Sequence, residues 1–276
     1  MKIYFCFLII TAPTFLKITS AFTLKETSSS IFPFHAVIDG SNVCSGLLIN
    51  EEYVLCPASC VNGSKWDIKI SLGNQEDPFF LSNPVQNFTD TYNAKDIIVH
   101  EKFLKLSNSV YLNNIALLRL TTITTFKENI QPGLLFSKLE NHLIGEDLVN
   151  VTGWSTTTVL NLSVAETTLL NPDTCAYLYG DDFFQYQETC LEWKTHDYHL
   201  NLSGNIVSVQ GRILGFLIRA PCTEHDLDCK NHYKVIKISS FLDWISRKSN
   251  IPIETLTSCD FLENIEPRPS IEEWEN

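Results

Sequence analysis

Residues 196 to 203 hold several side chains that could carry out chemistry. Ser203 carries a hydroxyl, and His199 lies four residues before it. A serine hydroxyl is a weak nucleophile until a neighbouring base removes its proton, and histidine is the commonest such base. His196, Asp197 and His199 could alternatively hold a metal ion. Both arrangements need a particular loop geometry, and histidine has many structural uses, so we expect neither an activated serine nor a metal site here.

Short strands account for most of the chain. Their apolar residues alternate or run continuously between turn residues, as in FHAVI, SGLLI, EYVLC, WDIKISL, DIIVH, IALLRL, DLVNV, NIVSV, RILGFLI and KVIKI. This spacing predicts a barrel or a sandwich rather than alternating strands and helices. One helix is predicted over Ser239–Asn250, with Ser239 or Ser240 as its N-cap and Pro252 after its end.

Charge limits the classes of partner. The 276 residues carry a formal net charge of −12, which argues against binding to nucleic acid or to an anionic membrane surface. Seven acidic groups and one arginine give residues 251–276 a net charge of −6. We expect this segment to be an acidic, flexible tail. A docking segment for a basic partner is the alternative.

The first 21 residues predict a signal peptide. An early lysine, a short apolar run and the small residues Thr19 and Ala21 predict cleavage after Ala21. An uncleaved membrane anchor is the alternative. No other apolar run is long enough to cross a membrane. We therefore expect a secreted, extracellular protein that does not bind membranes.

Cysteines and sequons agree with that location. Eight cysteines follow Ala21, an even number that predicts disulfides in an oxidising compartment. Their spacings do not suit zinc, and we expect no metal and no cofactor. Five Asn-X-Ser/Thr sequons predict glycosylation, at Asn62, Asn87, Asn150, Asn161 and Asn201. Asn150 falls in a predicted strand, where we expect its side chain to be buried.

Five segments, in the correct order, resemble the trypsin-like serine proteases (peptidase S1). The segments are FPF at Phe32–Phe34 for the family's FPW, CSGLLINEEYVLCPASC at Cys44–Cys60 for CGGSLISEEWVLTAAHC, NNIALLRL at Asn113–Leu120 for NDIALLKL, VTGW at Val151–Trp154 for GWG, and ISSFLDWI at Ile238–Ile245 for the C-terminal helix. Each motif alone is short. Together they cover most of the chain.

The resemblance implies an all-β fold of two packed six-stranded antiparallel β-barrels with a C-terminal helix and the active-site cleft between the barrels. It predicts a trypsin-like domain over residues 22–250, between the signal peptide at residues 1–21 and the acidic tail. Two family disulfides are implied, Cys44–Cys60 and Cys175–Cys190. Cys222 and Cys229 could form a local bridge, and Cys56 and Cys259 are then left, paired or free.

The same resemblance assigns catalytic positions that have lost their catalytic residues. Ser59 stands where the family has its histidine, Asn114 where it has its aspartate, and Ser203 where it has its nucleophile. Without the histidine, the hydroxyl of Ser203 has no general base. Asn201, whose sequon includes Ser203, aligns with the glycine of the oxyanion hole. Leu202 replaces the aspartate that pairs with the new N-terminus of an activated protease.

Substrate binding and activation are expected to be lost as well. Tyr233 aligns with a small glycine in the wall of the specificity pocket and is expected to fill that pocket. Arg219 or a residue next to it replaces a tryptophan of the same wall. Asp197 aligns with the aspartate that holds lysine or arginine in trypsin, and a surface residue in a remodelled loop is the alternative. No IVGG-like activation sequence lies between Ala21 and Phe34.

We therefore expect a secreted, non-catalytic serine protease homologue, or pseudoprotease, that acts by binding a protein partner, as a monomer or in a hetero-complex. The alternative is an active serine endopeptidase or hydrolase that uses Ser203 with an unconventional base.

Overall fold

Strands form most of the computed structural model. It describes residues 25–26, 32–40, 43–63, 68–73, 90–107, 110–137, 147–154, 162–193, 204–218 and 232–258. The strands are β1 Lys25–Glu26, β2 His35–Asp39, β3 Val43–Leu48, β4 Tyr53–Cys56, β5 Lys69–Leu72, β6 Asp90–Val99, β7 Leu104–Lys105, β8 Tyr111–Leu112, β9 Ala116–Leu120, β10 Leu148–Trp154, β11 Leu162–Leu169, β12 Glu188–Glu192, β13 Ile206–Val209, β14 Arg212–Ile218 and β15 His232–Lys237. The helices are α1 Ala58–Val61, α2 Pro172–Tyr179, α3 Leu242–Ser249 and α4 Ile253–Thr257, with 3-10 turns at Gly180–Asp182 and Ile238–Phe241.

Six strands close the first barrel, in the order β2-β3-β4-β9-β6-β5, and all their pairings are antiparallel. Apolar side chains alternate into its interior, as at Ile38 and Ile70, which face each other across β2 and β5 and are fully buried. A second barrel follows the order β11-β10-β13-β14-β15-β12 and is closed by pairing of β11 with β12. The predicted fold of two six-stranded antiparallel barrels is confirmed.

The largest apolar cluster joins the two barrels to the C-terminal helices. It includes Leu55 of the first barrel, Phe216 of the second, Trp244 of α3 and Leu256 of α4, all buried. Burial of such large side chains is the main contribution to stability and fixes the relative position of the elements that carry them. The β4–α1 and β8–β9 connections are therefore held beside the second barrel.

The C-terminal helix differs in detail from the prediction. The chain first makes the 3-10 turn Ile238–Phe241 and then α3, whose N-cap residue Phe241 provides no side-chain cap. The prediction that Ser239 or Ser240 caps the helix is wrong. The hydroxyl of Ser240 instead donates to the backbone oxygen of Tyr186, which ties the turn to the loop before β12.

The predicted tail boundary at residue 250 also needs correction. Residues 251–258 continue the folded unit, because Ile251 and Leu256 are buried in the shared core. The backbone N–H of Leu135 donates to the oxygen of Leu256 at 2.8 Å. The flexibility expected from residue 251 onwards is therefore wrong for the first eight residues of that segment, and residues 259–276 lie outside the described part.

Helix α2 was not predicted, although its start carries a recognisable signal. Asn171 is the N-cap, and its side-chain oxygen accepts from the backbone N–H of Thr174 at 2.7 Å. Pro172 takes the first helical position, where its missing N–H costs nothing. The Asn-Pro pair thus marks a helix start.

Asn150 lies in β10 with its side chain exposed, so the expected burial of this sequon asparagine is wrong. It pairs with Glu166 on one side and Ser208 on the other. Alternation along the strand places its neighbours Val149 and Val151 in the core. The asparagine therefore points to the outer face of the second barrel.

Two disulfides join Cys44 to Cys60 and Cys175 to Cys190, the pairs that the family resemblance implied. Cys56 is free and buried. No helix in the described ranges has the length and apolar character needed to span a bilayer.

Candidate functional site at the junction of the barrels

Ser59 is presented by the short helix α1, directly after β4. Ala58, Cys60 and Val61 are buried, and the Cys44–Cys60 disulfide ties the helix to β3. Because its neighbours are fixed on the inner side, Ser59 is left half-buried at the surface of the helix. Its position is therefore set by the packing of the first barrel.

Asn114 lies just before β9 and is 3% exposed. Its side-chain oxygen accepts from the backbone N–H of Ser59 at 2.7 Å, and its amide nitrogen donates to the Ser59 hydroxyl at 3.1 Å. The N–H at this position of a helix has no partner within the helix, so Asn114 provides the missing acceptor. The structure thus brings together two of the predicted site residues, and both are uncharged.

Asn113 makes a second reciprocal pair, which the sequence did not reveal. Its backbone N–H donates to the side-chain oxygen of Gln187 at 2.7 Å, and the Gln187 amide donates back to its side-chain oxygen at 2.9 Å. Asn113 has a φ of 49°, a conformation that asparagine tolerates better than most residues. Consecutive asparagines therefore attach the start of β9 to α1 and to the second barrel.

Gly204 follows Ser203, which lies outside the described residues. It has a φ of +88°, and an added Cβ would lie 2.5 Å from the backbone oxygen of Ser45. Only glycine fits at such a position. The Gly204 N–H donates to the oxygen of Leu217 at 3.1 Å, and this bond holds Gly204 against the second barrel.

Asn205 is fully buried between the barrels. Its side-chain oxygen accepts from the hydroxyl of Ser45 at 3.3 Å. Its carboxamide lies so close to Gly153 that a Cβ there would overlap it. These small residues, Ser45 and Gly153, were not predicted as part of the site because their role depends on the approach of two distant strands.

His35 occupies the buried junction between β2 and β10. Its Nε2 lies 2.6 Å from the hydroxyl oxygen of Thr152, which also lies 3.3 Å from the backbone oxygen of Ile206. The direction of the bond between Nε2 and the Thr152 hydroxyl depends on the tautomer of the ring. Burial lowers the pKa of His35 to about 3. The imidazole is therefore neutral over the physiological pH range.

Cys56, at the end of β4, has no disulfide partner and is fully buried. Burial raises the pKa of its thiol. A protonated thiol in the core is a small apolar side chain and not a nucleophile.

Tyr233 is half-buried in β15, opposite Leu191 of β12. Its ring packs edge-on against Trp193, with centroids 5.9 Å apart. Residues 194–203 and 219–231, which complete the predicted pocket wall, lie outside the described ranges. Filling of the specificity pocket by Tyr233 stays a prediction.

Other predicted residues also lie outside the described part of the chain. They are Asn87, Asn161, His196, Asp197, His199, Asn201, Leu202, Ser203, Arg219, Cys222, Cys229 and Cys259. Asn62, which ends α1, is described and exposed. Within the described ranges, no group of three or more histidine, cysteine or acidic side chains could hold a metal ion.

Three kinds of similarity to known proteins indicate the family of this chain: a family model, individual relatives and a solved structure. The family model described as Trypsin matches residues 23–198. The chain is 31% identical over 149 residues to human "Serine protease 41", covering 49% of this chain and 44% of the relative. It is 30% identical over 155 residues to "Phenoloxidase-activating factor 3" of Holotrichia diomphalia, covering 48% of this chain and 42% of that one.

A third relative is "Serine protease SSP1" of Scolopendra subspinipes, 28% identical over 126 residues, which cover 44% of this chain and 41% of the relative. The chain spans less than half the length of each of these relatives. Its fold is similar to the solved structure of HL collagenase, with a TM-score of 0.68 and 21% identity, over 82% of this chain and 97% of that one. With a family model that matches more than half of its residues and two closed six-stranded barrels, the chain belongs to the trypsin family.

Proposed function

We propose that this chain is a secreted, glycosylated, non-catalytic member of the trypsin family that acts by binding another protein. The observation that carries the proposal is the reciprocal pair of hydrogen bonds between Ser59 and Asn114. These residues align with the histidine and the aspartate of the family's triad. Neither side chain can accept a proton at neutral pH.

Acyl transfer by serine needs a base that takes the hydroxyl proton and returns it to the leaving group. Removing the histidine of such a triad costs about six orders of magnitude in turnover. An asparagine in place of the aspartate alone costs about four orders of magnitude, because it favours the wrong histidine tautomer. Ser203 at the nucleophile position is then an ordinary alcohol.

His35 is a poor substitute base. Its Nε2 is engaged in a hydrogen bond with the Thr152 hydroxyl, and the residue is 3% exposed. A group with a pKa of about 3 is a weak base and takes up a proton poorly at neutral pH. His100 packs near Phe241 and Trp244, with ring centroids 5.8 and 5.1 Å away, on the side of the C-terminal helix. Neither of these two imidazoles supports a rebuilt triad.

Secretion and glycosylation are supported by the signal-peptide-like start, by the two disulfides and by the exposed sequon asparagines Asn62 and Asn150. Asn62 ends the helix that carries Ser59. A glycan attached there would stand beside the junction of the barrels. This position favours recognition through other surfaces of the molecule.

The catalytic question is tested with a fluorophosphonate probe on the purified, secreted full chain. We expect no more labelling than in the Ser203→Ala variant, with an active trypsin as the positive control. Labelling at Ser203 that disappears in Ser203→Ala would establish an active hydrolase and overturn the proposal.

The binding role is tested separately by affinity capture with the full chain and with a chain that ends at Ser258. We expect a reproducible partner at near-stoichiometric amounts. Loss of that partner on removal of residues 259–276 would assign the contact to the acidic segment. Absence of any saturable partner would contradict a binding function.

A further inference from the structure

A cavity of about 790 Å³ opens on the second barrel, and neither Ser59 nor Asn114 lines it. Apolar side chains of three elements form its inner wall, among them Phe136, Leu169, Leu214 and Phe241, each 5% exposed or less. The volume lies within the range of pockets that bind small molecules. These side chains can contact an aliphatic body, while polar residues, among them Gln185, Gln187 and Ser240, line the rest of the cavity.

Two donors line the same cavity. Lys237 ends β15 and is half-buried, and its Nζ donates to the backbone oxygen of Gln185 at 2.5 Å. Within the described residues no carboxylate lies within ion-pair distance of this ammonium. Burial lowers the pKa of Lys237, while the charge of Glu188 raises it. The ammonium is thus partly desolvated and lacks a direct counter-ion.

Ser239 lies two residues after Lys237 and is 5% exposed. Its hydroxyl makes no hydrogen bond in the part of the chain that the structure describes. A hydroxyl that lines a cavity and makes no bond to the protein can donate to a ligand or to water. It provides a second donor for a group held by Lys237.

From these features we propose that the cavity binds a small amphipathic carboxylic acid, such as a medium- or long-chain fatty acid. The apolar chain lies against Phe136, Leu169, Leu214 and Phe241. The carboxylate accepts from the Lys237 ammonium and from the Ser239 hydroxyl. A charge-assisted hydrogen bond in a partly buried site is stronger than a neutral one and distinguishes a carboxylate from an alcohol of equal length.

Glu188, which also lines the cavity, is paired with a cation of its own. Both oxygens of Glu188 lie 3.1 Å from Nζ of Lys234, which is fully buried. Glu188 also accepts from the backbone N–H of Phe184 at 3.1 Å. Its charge is therefore balanced inside the barrel, which leaves Lys237 as the cation available to a ligand.

This inference does not depend on the absence of catalysis. None of the cavity residues is one of the degenerate triad positions Ser59, Asn114 and Ser203. An active hydrolase could bear the same cavity, and a pseudoprotease could lack a ligand there. The two proposals can therefore fail separately.

The test uses the full chain and the fluorescent fatty acid dansylaminoundecanoic acid. We expect saturable fluorescence enhancement that dodecanoate displaces and dodecanol displaces at least about tenfold less well. In Lys237→Gln, dodecanoate should lose about tenfold in affinity while dodecanol is unchanged. Ser239→Ala should weaken dodecanoate by a smaller factor. Lys69→Gln, at an exposed lysine of the first barrel, is the matched control and should bind as the unmodified chain does.

Several outcomes would overturn the inference. Equal affinity for dodecanoate and dodecanol would show that the cavity does not recognise a carboxylate. An unchanged dodecanoate affinity in Lys237→Gln would show that Lys237 does not bind it. Absence of saturable probe binding would show that the cavity does not bind a fatty acid. Displacement by an acidic peptide that dodecanoate does not match would assign the cavity to a peptide and also reject the proposal. Far-ultraviolet circular dichroism of each variant establishes that the barrels are folded.

Discussion

Ser59 and Asn114 exchange two hydrogen bonds, at 2.7 Å and 3.1 Å, so that one buried amide satisfies both the backbone and the side chain of the same serine. The pair joins α1 to the start of β9. Both elements belong to the first barrel and face the second. The junction is thus held at these two residues by hydrogen bonds between uncharged groups.

Replacing Asn114 by leucine should destabilise the fold, because the Ser59 N–H loses its acceptor in a buried place. We expect a loss of about 1–3 kcal/mol in the free energy of unfolding. Asn93→Leu, at an exposed position of β6, is the control and should change stability by less than about 0.5 kcal/mol. Urea unfolding followed by tryptophan fluorescence measures both. Equal stability of the two variants would show that the pair contributes little.

Restoring the two triad residues should not restore peptidase activity. In Ser59→His with Asn114→Asp, the base and its partner return, but Leu202, Tyr233 and the missing activation sequence remain. We expect no hydrolysis of peptide substrates with basic, aromatic or small residues before the scissile bond, and no fluorophosphonate labelling. Substantial turnover would show that our interpretation of those other positions is wrong.

The barrels could be predicted from the sequence because most of their strands have clear apolar patterns between turns and the family motifs fix their order. Strands β11 and β12 were missed. LSVAETTL has few large apolar residues and pairs with β1, β10 and β12, and ETCLE pairs with β11 and β15. The burial of β11 results from strands that are distant in sequence, and its own residues do not indicate it.

The site was predictable where the residues lie in family motifs and hidden where the contacts join distant segments. Ser59 and Asn114 were found through the motifs around them. The Asn113–Gln187 pair spans 74 residues and the Ser45–Asn205 contact spans 160, and no local pattern indicates either. Such contacts depend on the packing of the two barrels against each other.

His35 should make the protein sensitive to acid. Its pKa is about 3 in the folded chain, against about 6.5 for a free histidine, because burial disfavours the charged ring. As pH falls below about 6.5 the unfolded chain takes up a proton that the folded chain does not, so stability falls by up to about 1.4 kcal/mol per pH unit until the pH nears the folded value.

The variant His35→Gln tests this directly, because glutamine can place a donor near Thr152 and does not titrate. We expect its unfolding free energy to fall less steeply than that of the unmodified chain between about pH 6.5 and about pH 4. Urea midpoints over this range give the two slopes. Parallel slopes would mean that His35 is protonated in the folded chain or that other groups dominate the acid sensitivity.

Lys234 and Glu188 form an ion pair inside the second barrel, with side chains 0% and 3% exposed. Removing one partner of such a pair leaves a buried charge, so Lys234→Met should cost about 3–5 kcal/mol. Burial already raises the pKa of Glu188, and loss of the nearby ammonium raises it further. The folded variant then binds a proton more readily than the unfolded chain, and its stability should increase as the pH falls towards the pKa of a free glutamate.

The double variant Lys234→Met with Glu188→Leu should recover much of that loss, because no unpaired charge remains, although the Phe184 N–H loses its acceptor. Lys69→Met, at an exposed lysine, controls for the substitution itself. Urea unfolding at about pH 8 and about pH 5 gives the free energies of the unmodified chain, the single variant, the double variant and the control. If the single variant is no more stable at the lower pH, and the double variant is no better than the single one, the destabilisation comes from lost packing around Tyr179 and Phe184, whose rings lie 5.7 and 5.9 Å from the ammonium, and not from an unpaired carboxylate.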